Sequence, residues 1–266
     1  MAVGLTKIPQ LLPVKGITLS ACSAGIYKPK RLDLALIACE QDAATAAVFT
    51  RNAFCAAPVI VAKDHLQKTR PLYFLINAGN ANAGMGNRGI ADAKKLCSRL
   101  SVLGGCHEAE VLPFSTGVIG EPLPVLKITH ALSRLLSSLS ATRWPDVTRA
   151  IMTTDTVAKG ISRKIRIKGS DVTITGIVKG SGMIKPDMAT MLAFIATDAA
   201  VGKPTLQRIL KEAVDESFNR ISVDGDTSTN DACILIASGK AGTGIIKSKQ
   251  ESAAGIFKEA IMDVCT

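Results

Sequence analysis

The chain has 266 residues, of which 47% are apolar and 20% are charged, and its formal net charge at pH 7 is +10. This composition excludes an intrinsically disordered chain and allows a sizeable hydrophobic core in one large domain or two small ones. Twenty-two glycines and an aromatic content of 4% predict a core of Ala, Val, Ile and Leu with many tight turns. Such a chain is typical of an α/β or α+β protein.

The positive charge does not indicate a nucleic-acid partner. The basic residues are dispersed, and the two richest clusters, at 28–31 and 163–168, contain no aromatic side chains that would stack on bases. No apolar run is long enough for a signal-peptide core or a membrane span, so we expect a soluble, cytoplasmic protein without a membrane partner. The seven scattered cysteines lack zinc or redox spacing and are expected to be reduced and structural.

Short apolar runs, several rich in β-branched residues, predict ten strands along the chain. In chain order they are 34–38, 46–50, 59–62, 72–77, 111–114, 161–167, 172–178, 191–195, 221–223 and 233–237. Apolar stripes predict helices around Ile90 to Leu100 and after Pro204, and a third helix at 252–264. The order mixes adjacent strand pairs with helix insertions, which predicts a layered α/β fold with a mixed sheet rather than a regular βαβ repeat. The only soft segment is 239–249.

Four strings rich in Gly, Asn, Ser, Thr and Asp border these predicted strands, where an α/β scaffold holds reactive groups. They are 77–82, 115–120, 179–190 and 224–231. Each string alone is compatible with an ordinary turn, and the phosphate-loop spacing is absent from 179–190. The carboxylates of 224–231 do not follow EF-hand spacing, so we interpret this string as a structural or site-wall loop without a metal. All three histidines lie outside the four strings, which supports neither a Ser-His-Asp triad nor a zinc site.

Together with 46–52 and 153–155, these strings resemble the ornithine acetyltransferase (glutamate N-acetyltransferase) family of arginine biosynthesis. They occur in the family's order and cover nearly the whole chain. The resemblance implies a layered mixed-sheet α/β fold of the self-cleaving DmpA/ArgJ-like type. It also implies a precursor that cleaves itself between Ala189 and Thr190, which divides the chain into an alpha-chain segment, 1–189, and the beginning of a beta-chain segment, 190–266.

The resemblance further implies that Thr190 is the nucleophile that takes acetyl from N-acetylornithine and passes it to glutamate. A Thr hydroxyl needs an adjacent base, and the α-amino group that cleavage frees, with a reference pKa of roughly 7.7–8.0, can serve as one. By resemblance, the Thr116 hydroxyl and the Gly117 N–H stabilise the oxyanion, and Thr153, Lys179 and Thr190 bind substrate. A glycine at 117 lets the backbone approach a ligand closely. No cofactor is implied, although acetyl-CoA is an additional candidate acetyl donor.

Several alternatives stay open at the level of sequence. Residues 115–120 could be a plain strand-to-turn connection, Thr153 a helix cap, and Lys179 a solvated surface lysine. Family members are longer, so we expect the chain to be incomplete at its C-terminus, and positions 83–85 depart from the usual family residues. The partners implied are the chain's own cleavage product, in a heterotetramer of two alpha and two beta chains. The competing functions are an amide hydrolase or aminopeptidase of the same architecture, or a non-catalytic truncated chain.

Overall fold

A computed structural model describes residues 8–27, 30–181, 191–222, 226–248 and 252–266. The described residues form nine strands and six α-helices. The strands are β1 (Ile17–Cys22), β2 (Leu34–Cys39), β3 (Ala44–Phe49), β4 (Tyr73–Asn80), β5 (Val111–Val118), β6 (Lys159–Ile167), β7 (Ser170–Lys179), β8 (Leu192–Thr197) and β9 (Ala232–Ala237). The helices are α1 (Ala57–Lys68), α2 (Gly86–Gly104), α3 (Val125–Ser137), α4 (Trp144–Ala150), α5 (Lys203–Glu216) and α6 (Ser252–Cys265).

The strands form two mixed sheets. A four-stranded sheet has the order β1-β2-β4-β5, and a five-stranded sheet has the order β3-β9-β8-β7-β6. In each sheet one pair of neighbours is parallel, β4 with β5 and β8 with β9. The other neighbouring strands are antiparallel. Parallel neighbours need a long crossover connection, which α2 and α5 supply. The prediction of a layered α/β fold with mixed strands is confirmed.

The two sheets pack face to face, because alternate residues of each strand point to opposite faces. On β8, Phe194 points into the core between the sheets, while Ile195 points into the core beneath α5 and α6. On β2, Ile37 points between the sheets, while Leu36 packs beneath α2 and α3. The result is four layers, with a helix pair outside each sheet. Phe114 and Phe194 join the sheets edge to face, with ring centroids 5.2 Å apart.

The structure confirms the three predicted helices as α2, α5 and α6, but it contradicts two predicted strands. Residues 59–62 lie inside α1, and Pro58 in its first turn favours the start of a helix. A short apolar run cannot by itself distinguish a strand from a buried helix segment. Ile221 and Ser222 form no strand, since they follow a 3-10 turn and are exposed, and Val223 lies outside the described residues. Three further elements, β1, α3 and α4, were not predicted from the sequence.

The contact between the sheets gives a direct test of this architecture. Phe194 is fully buried, so Phe194→Ala should lower the free energy of unfolding by about 3–5 kcal/mol through lost burial and a residual cavity. Urea unfolding measures this change. Phe54→Ala is the matched control, because that side chain is 59% exposed and its loss should change stability by no more than about 0.5 kcal/mol. Equal effects of the two substitutions would contradict the packing described.

Candidate active site

The register of the five-stranded sheet brings the end of β7 beside the starts of β8 and β9 at one edge of the fold. Lys179, the last residue of β7, lies opposite Leu192, the first residue of β8. Leu192 in turn lies opposite Ala232, the first residue of β9. Phe49, the last residue of β3, is also opposite Ala232. The ends of two strands and the starts of two others therefore lie side by side.

The predicted oxyanion-hole residues lie at the end of β5, which continues four residues beyond the predicted strand. Gly117 has φ +136, and a Cβ atom there would come within 2.3 Å of the Gly79 carbonyl carbon. Only glycine fits this close approach. Thr116 is buried, and its hydroxyl makes no hydrogen bond to any residue that the structure describes. A position that only glycine can occupy, beside a hydroxyl without a hydrogen bond to a described residue, favours a functional edge over a plain turn.

Asparagine side chains hold this edge in an irregular conformation. Asn80 lies opposite both Thr116 and Val118, which marks a bulge between β4 and β5. The Ser115 hydroxyl donates to Asn77 Oδ1 at 2.6 Å, and Asn77 Nδ2 donates to the Asn80 carbonyl at 2.8 Å. The bulge is thus fixed by buried hydrogen bonds, because each of these polar groups would be costly to leave unpaired.

Two consecutive residues connect this edge to the start of β8. Asn230 Nδ2 donates to the Ser115 carbonyl at 2.9 Å and to the Ala81 carbonyl at 2.7 Å. Asp231 Oδ1 accepts the N–H of Met191 at 2.9 Å. Ser115 directly precedes Thr116, and Met191 directly follows Thr190 in the sequence. The predicted nucleophile Thr190 and its neighbour Ala189 lie outside the described residues.

Lys179 is buried, with only 4% of its surface exposed, so it is not the solvated surface lysine that the sequence left open. Burial lowers the pKa of its ammonium group, because desolvation disfavours the charged form. The nearby carboxylates of Asp155 and Asp231 oppose this shift. Lys179 is therefore a buried lysine whose charged form is favoured by two carboxylates.

Asp155 organises the segment that contains Thr153. Its Oδ1 accepts from Lys159 Nζ at 2.6 Å and from the Gly180 N–H at 2.9 Å, and its Oδ2 accepts from the Thr153 N–H at 3.4 Å. Burial alone would raise the pKa of Asp155, but Lys159 and these other partners outweigh it, so the pKa lies below its usual value. Thr153 lies between α4 and β6 and caps neither a helix start nor a helix end.

Arg31 and Tyr27 link Thr153 to the β4 edge. The Arg31 guanidinium donates to the Met152 carbonyl at 2.7 Å and to the Thr153 carbonyl at 3.4 Å. It also lies over the Tyr27 ring, 4.6 Å from the centroid. Tyr27 packs so closely on Gly79 that a Cβ atom there would come within 2.7 Å of it. A continuous chain of contacts therefore runs from Thr153 to Gly79 and Gly117.

Sequence reasoning assigned no individual role to Tyr27, Arg31, Asp155, Asn230 and Asp231, although the last three lie in the strings 153–155 and 224–231 that it did single out. Asp231 is 1% exposed, and its burial raises the pKa of the carboxyl group to about 7, against the opposing effects of Ser228, the Met191 N–H and Lys179. Its Oδ2 has no hydrogen-bond partner among the described residues. The signal available in the sequence was that Asp231 directly precedes an apolar strand.

The described residues contain no group of three or more His, Cys, Asp or Glu side chains placed to hold a metal ion. His65 is buried in the core, with Nδ1 2.8 Å from the Val111 carbonyl. None of the helices in the described ranges combines the length and the hydrophobicity that a bilayer crossing requires. A largely apolar cavity of about 470 Å³ adjoins Lys179, Gly180 and Met191 and extends to α6.

A similar solved structure indicates the class of fold to which this chain belongs. The L-aminopeptidase D-Ala-esterase/amidase from Ochrobactrum anthropi, described as a variant of the Ntn hydrolase fold, is similar over 98% of this chain and 87% of its own, with a TM-score of 0.55. At 10% sequence identity this likeness concerns the fold alone.

The family follows from closer matches. The model of the ArgJ family matches residues 18–266. The chain is 49% identical over 265 residues to the arginine biosynthesis bifunctional protein ArgJ of Pseudomonas fluorescens. This match covers all of the chain but only 65% of the relative's length. The chain therefore belongs to the ArgJ family.

Two solved structures agree with this assignment. The ArgJ protein of Bacillus halodurans is 35% identical with a TM-score of 0.60, and the match covers 67% of this chain and 92% of that chain. The ornithine acetyltransferase of Mycobacterium tuberculosis, solved in complex with ornithine, is 29% identical with a TM-score of 0.57, covering 66% of this chain and 95% of that chain.

The close approach of Gly117 to Gly79 predicts that substitution by alanine destabilises the fold more at position 117 than at position 120. Gly117→Ala should lower the free energy of unfolding by roughly 2–5 kcal/mol, because it adds both positive-φ strain and a clash with the Gly79 backbone. Gly120 also has positive φ, but a Cβ atom there would have nothing within 4 Å, so Gly120→Ala should cost only about 1–2 kcal/mol. Chemical denaturation compares the two. Equal losses would contradict the close approach.

The buried carboxyl of Asp231 predicts a pH-dependent stability. Between about pH 4 and pH 7 the folded protein retains a proton that the unfolded chain has released, so stability falls as the pH rises. Asp231→Asn removes this titration. The free energy of unfolding of the variant should therefore rise relative to that of the wild type by up to roughly 4 kcal/mol across that range. Urea unfolding at several pH values measures it. The same pH dependence in the wild type and in Asp231→Asn would contradict the burial of this carboxyl group.

Proposed function

We propose that this chain is a self-cleaving N-terminal-threonine acyltransferase that moves acetyl from N-acetylornithine to glutamate in arginine biosynthesis. Its membership of the ArgJ family supports this activity. So do the names of its relatives, a bifunctional protein of arginine biosynthesis and an ornithine acetyltransferase solved with ornithine. The observation that carries the proposal is the pair Asn230 and Asp231, which connects the residue before Thr116 to the residue after Thr190.

Cleavage between Ala189 and Thr190 would divide the chain into the segments 1–189 and 190–266. Matches to the two solved family chains cover nearly all of each of those chains but leave a third of this chain uncovered. Those solved chains are therefore shorter than this one, which is compatible with a division of this chain into two polypeptides. Both cleavage products would stay together, in the proposed assembly of two alpha and two beta chains.

In the cleavage step, the Thr190 hydroxyl attacks the Ala189 carbonyl carbon, and the acyl group moves from nitrogen to oxygen. Water then hydrolyses the ester and leaves Thr190 with a free α-amino group. The attack passes through a tetrahedral oxyanion, which needs hydrogen-bond donors already in place. We assign this role to the Thr116 hydroxyl, which is unengaged among the described residues, and to the backbone N–H of Gly117, which is an exposed residue.

In turnover, the new α-amino group takes the proton of the Thr190 hydroxyl as the hydroxyl attacks the acetyl carbonyl of the donor. Ornithine leaves with a proton on its nitrogen, and the acetyl ester on Thr190 is then attacked by the amino group of glutamate. The substrates are α-amino acids with a carboxylate, which the buried Lys179 could bind as a charge-assisted pair. Thr153, held beside Asp155, would contribute a second contact. Neither step requires a cofactor, and acetyl-CoA remains a candidate second donor.

Intact mass under denaturing conditions tests the cleavage. The wild type should give two polypeptides, the second beginning at Thr190, because the nucleophile and the oxyanion donors are all present. Thr190→Ala should give one polypeptide, since it lacks the hydroxyl. Thr142→Ala, at an exposed position between α3 and α4, should cleave as the wild type does. A folded wild type that stays intact, or a Thr190→Ala variant that still cleaves, would contradict the proposal.

Acetyl transfer is tested separately from cleavage by measuring ornithine release from N-acetylornithine with and without glutamate. A transferase should release ornithine continuously only when glutamate is present, and N-acetylglutamate should form in equal amount. Release at the same rate without glutamate would identify an amide hydrolase of this fold instead.

A further inference from the structure

Met191, directly before β8, is hydrogen-bonded through both its N–H and its carbonyl to residues at the start of β9. Its N–H donates to Asp231 Oδ1 at 2.9 Å, and its carbonyl accepts the Ala232 N–H at 3.1 Å. A peptide unit is planar, so a hydrogen bond to the Met191 N–H orients the whole unit that joins Met191 to the preceding residue. The start of β9 therefore determines the direction from which the chain enters β8.

Asp231 is itself anchored firmly enough to impose that orientation. Its backbone carbonyl accepts the Thr50 N–H at 2.9 Å, at the end of β3. The Thr50 hydroxyl donates to the Ser228 carbonyl at 2.8 Å, and the Ala56 N–H donates to the Thr229 carbonyl at 2.9 Å. The segment 228–231 is buried throughout. The Asp231 side chain, on this buried and hydrogen-bonded segment, therefore has little conformational freedom.

The carboxylate faces Lys179 as well as Met191. Lys179 and Asp231 interact electrostatically, and both side chains are buried. The two oxygens of Asp231 differ, since Oδ1 is engaged by Met191 whereas Oδ2 has no hydrogen-bond partner among the described residues. A buried carboxylate oxygen without a hydrogen-bond partner is unusual, because leaving it unpaired costs free energy.

We propose that Asp231 is a positioning residue for the reaction at position 190, acting through its hydrogen bond to the Met191 N–H. This inference rests on the proposed function. The same bond serves both stages, because Met191 follows the nucleophile before and after cleavage. Asn230 sets the other side of the site by binding the Ser115 carbonyl. Adjacent residues thereby bind the residue that precedes Thr116 and the residue that follows position 190.

The test follows the cleavage rate constant of freshly synthesised full-length chain in a cell-free translation time course. Asp231→Ala removes the acceptor and should slow cleavage on the order of 100-fold, the typical effect of a misplaced reacting group. Asp231→Asn keeps an acceptor in the same place and should recover cleavage to within about tenfold of the wild type. Recovery by Asn would not be expected if the carboxylate acted only through its charge.

Asp198 provides a matched control at the opposite end of β8. It is also buried, and its Oδ1 accepts a backbone N–H, that of Thr173, at 2.8 Å. Asp198→Ala should destabilise the fold in a similar way but leave the cleavage rate unchanged. Equal slowing by Asp198→Ala and Asp231→Ala would overturn the inference, because loss of stability alone would then explain both.

If Asp231→Ala does not fold, Asp231→Glu replaces it in the comparison. Glu keeps the charge but displaces the acceptor by one methylene group, so positioning predicts that the Asn variant cleaves faster than the Glu variant. The reverse order would overturn the inference. A wild type that fails to cleave contradicts the proposed function itself, whereas a cleaving wild type with an equally fast Asp231→Ala contradicts only the role of Asp231.

Discussion

The hydrogen bonds of Asn230 and Asp231 are the constraint on which the rest of the site depends. The two sheets meet through an apolar core, and such a core fixes their separation but not the alignment of polar groups at one edge. Asn230 binds the bulged β4–β5 edge, and Asp231 binds the residue that precedes β8. Directional hydrogen bonds buried from water hold this alignment much more tightly than apolar packing could.

The charges of the site are balanced in the same region. Two lysines and two carboxylates, Lys159, Lys179, Asp155 and Asp231, lie near the start of β6, the end of β7 and the start of β9. With all four ionised, their formal charges cancel, so the protein need not bury a net charge there. Asp155 is engaged by Lys159 and by backbone donors, whereas Lys179 has no hydrogen bond or ion pair with a described residue. Its amino group therefore keeps hydrogen-bond donors for a ligand.

The sequence predicted the buried strands well, because burial on two faces leaves a clear apolar pattern, as in β8 and β9. It failed at 59–62, where a run of β-branched residues lies in α1 and tertiary packing outweighs local preference. Of the site residues, Thr116, Gly117, Thr153 and Lys179 were predicted from family motifs. Thr116, Gly117 and Lys179 lie at strand ends and Thr153 lies between α4 and β6, positions compatible with the predicted roles. The string 224–231 was predicted as a loop, but the individual roles of Asn230 and Asp231, like that of Arg31, were not, because they depend on partners that are remote in sequence.

The central claim is that the residue before Met191 carries the acyl group during turnover. Rapid acid quenching after mixing the protein with N-acetylornithine labelled in its acetyl group, followed by peptide mapping, tests this claim most directly. We expect a labelled ester on Thr190 that disappears when glutamate is added, because glutamate removes the acetyl group from the enzyme. Label on another residue, or turnover with no labelled peptide at any time, would contradict the claim.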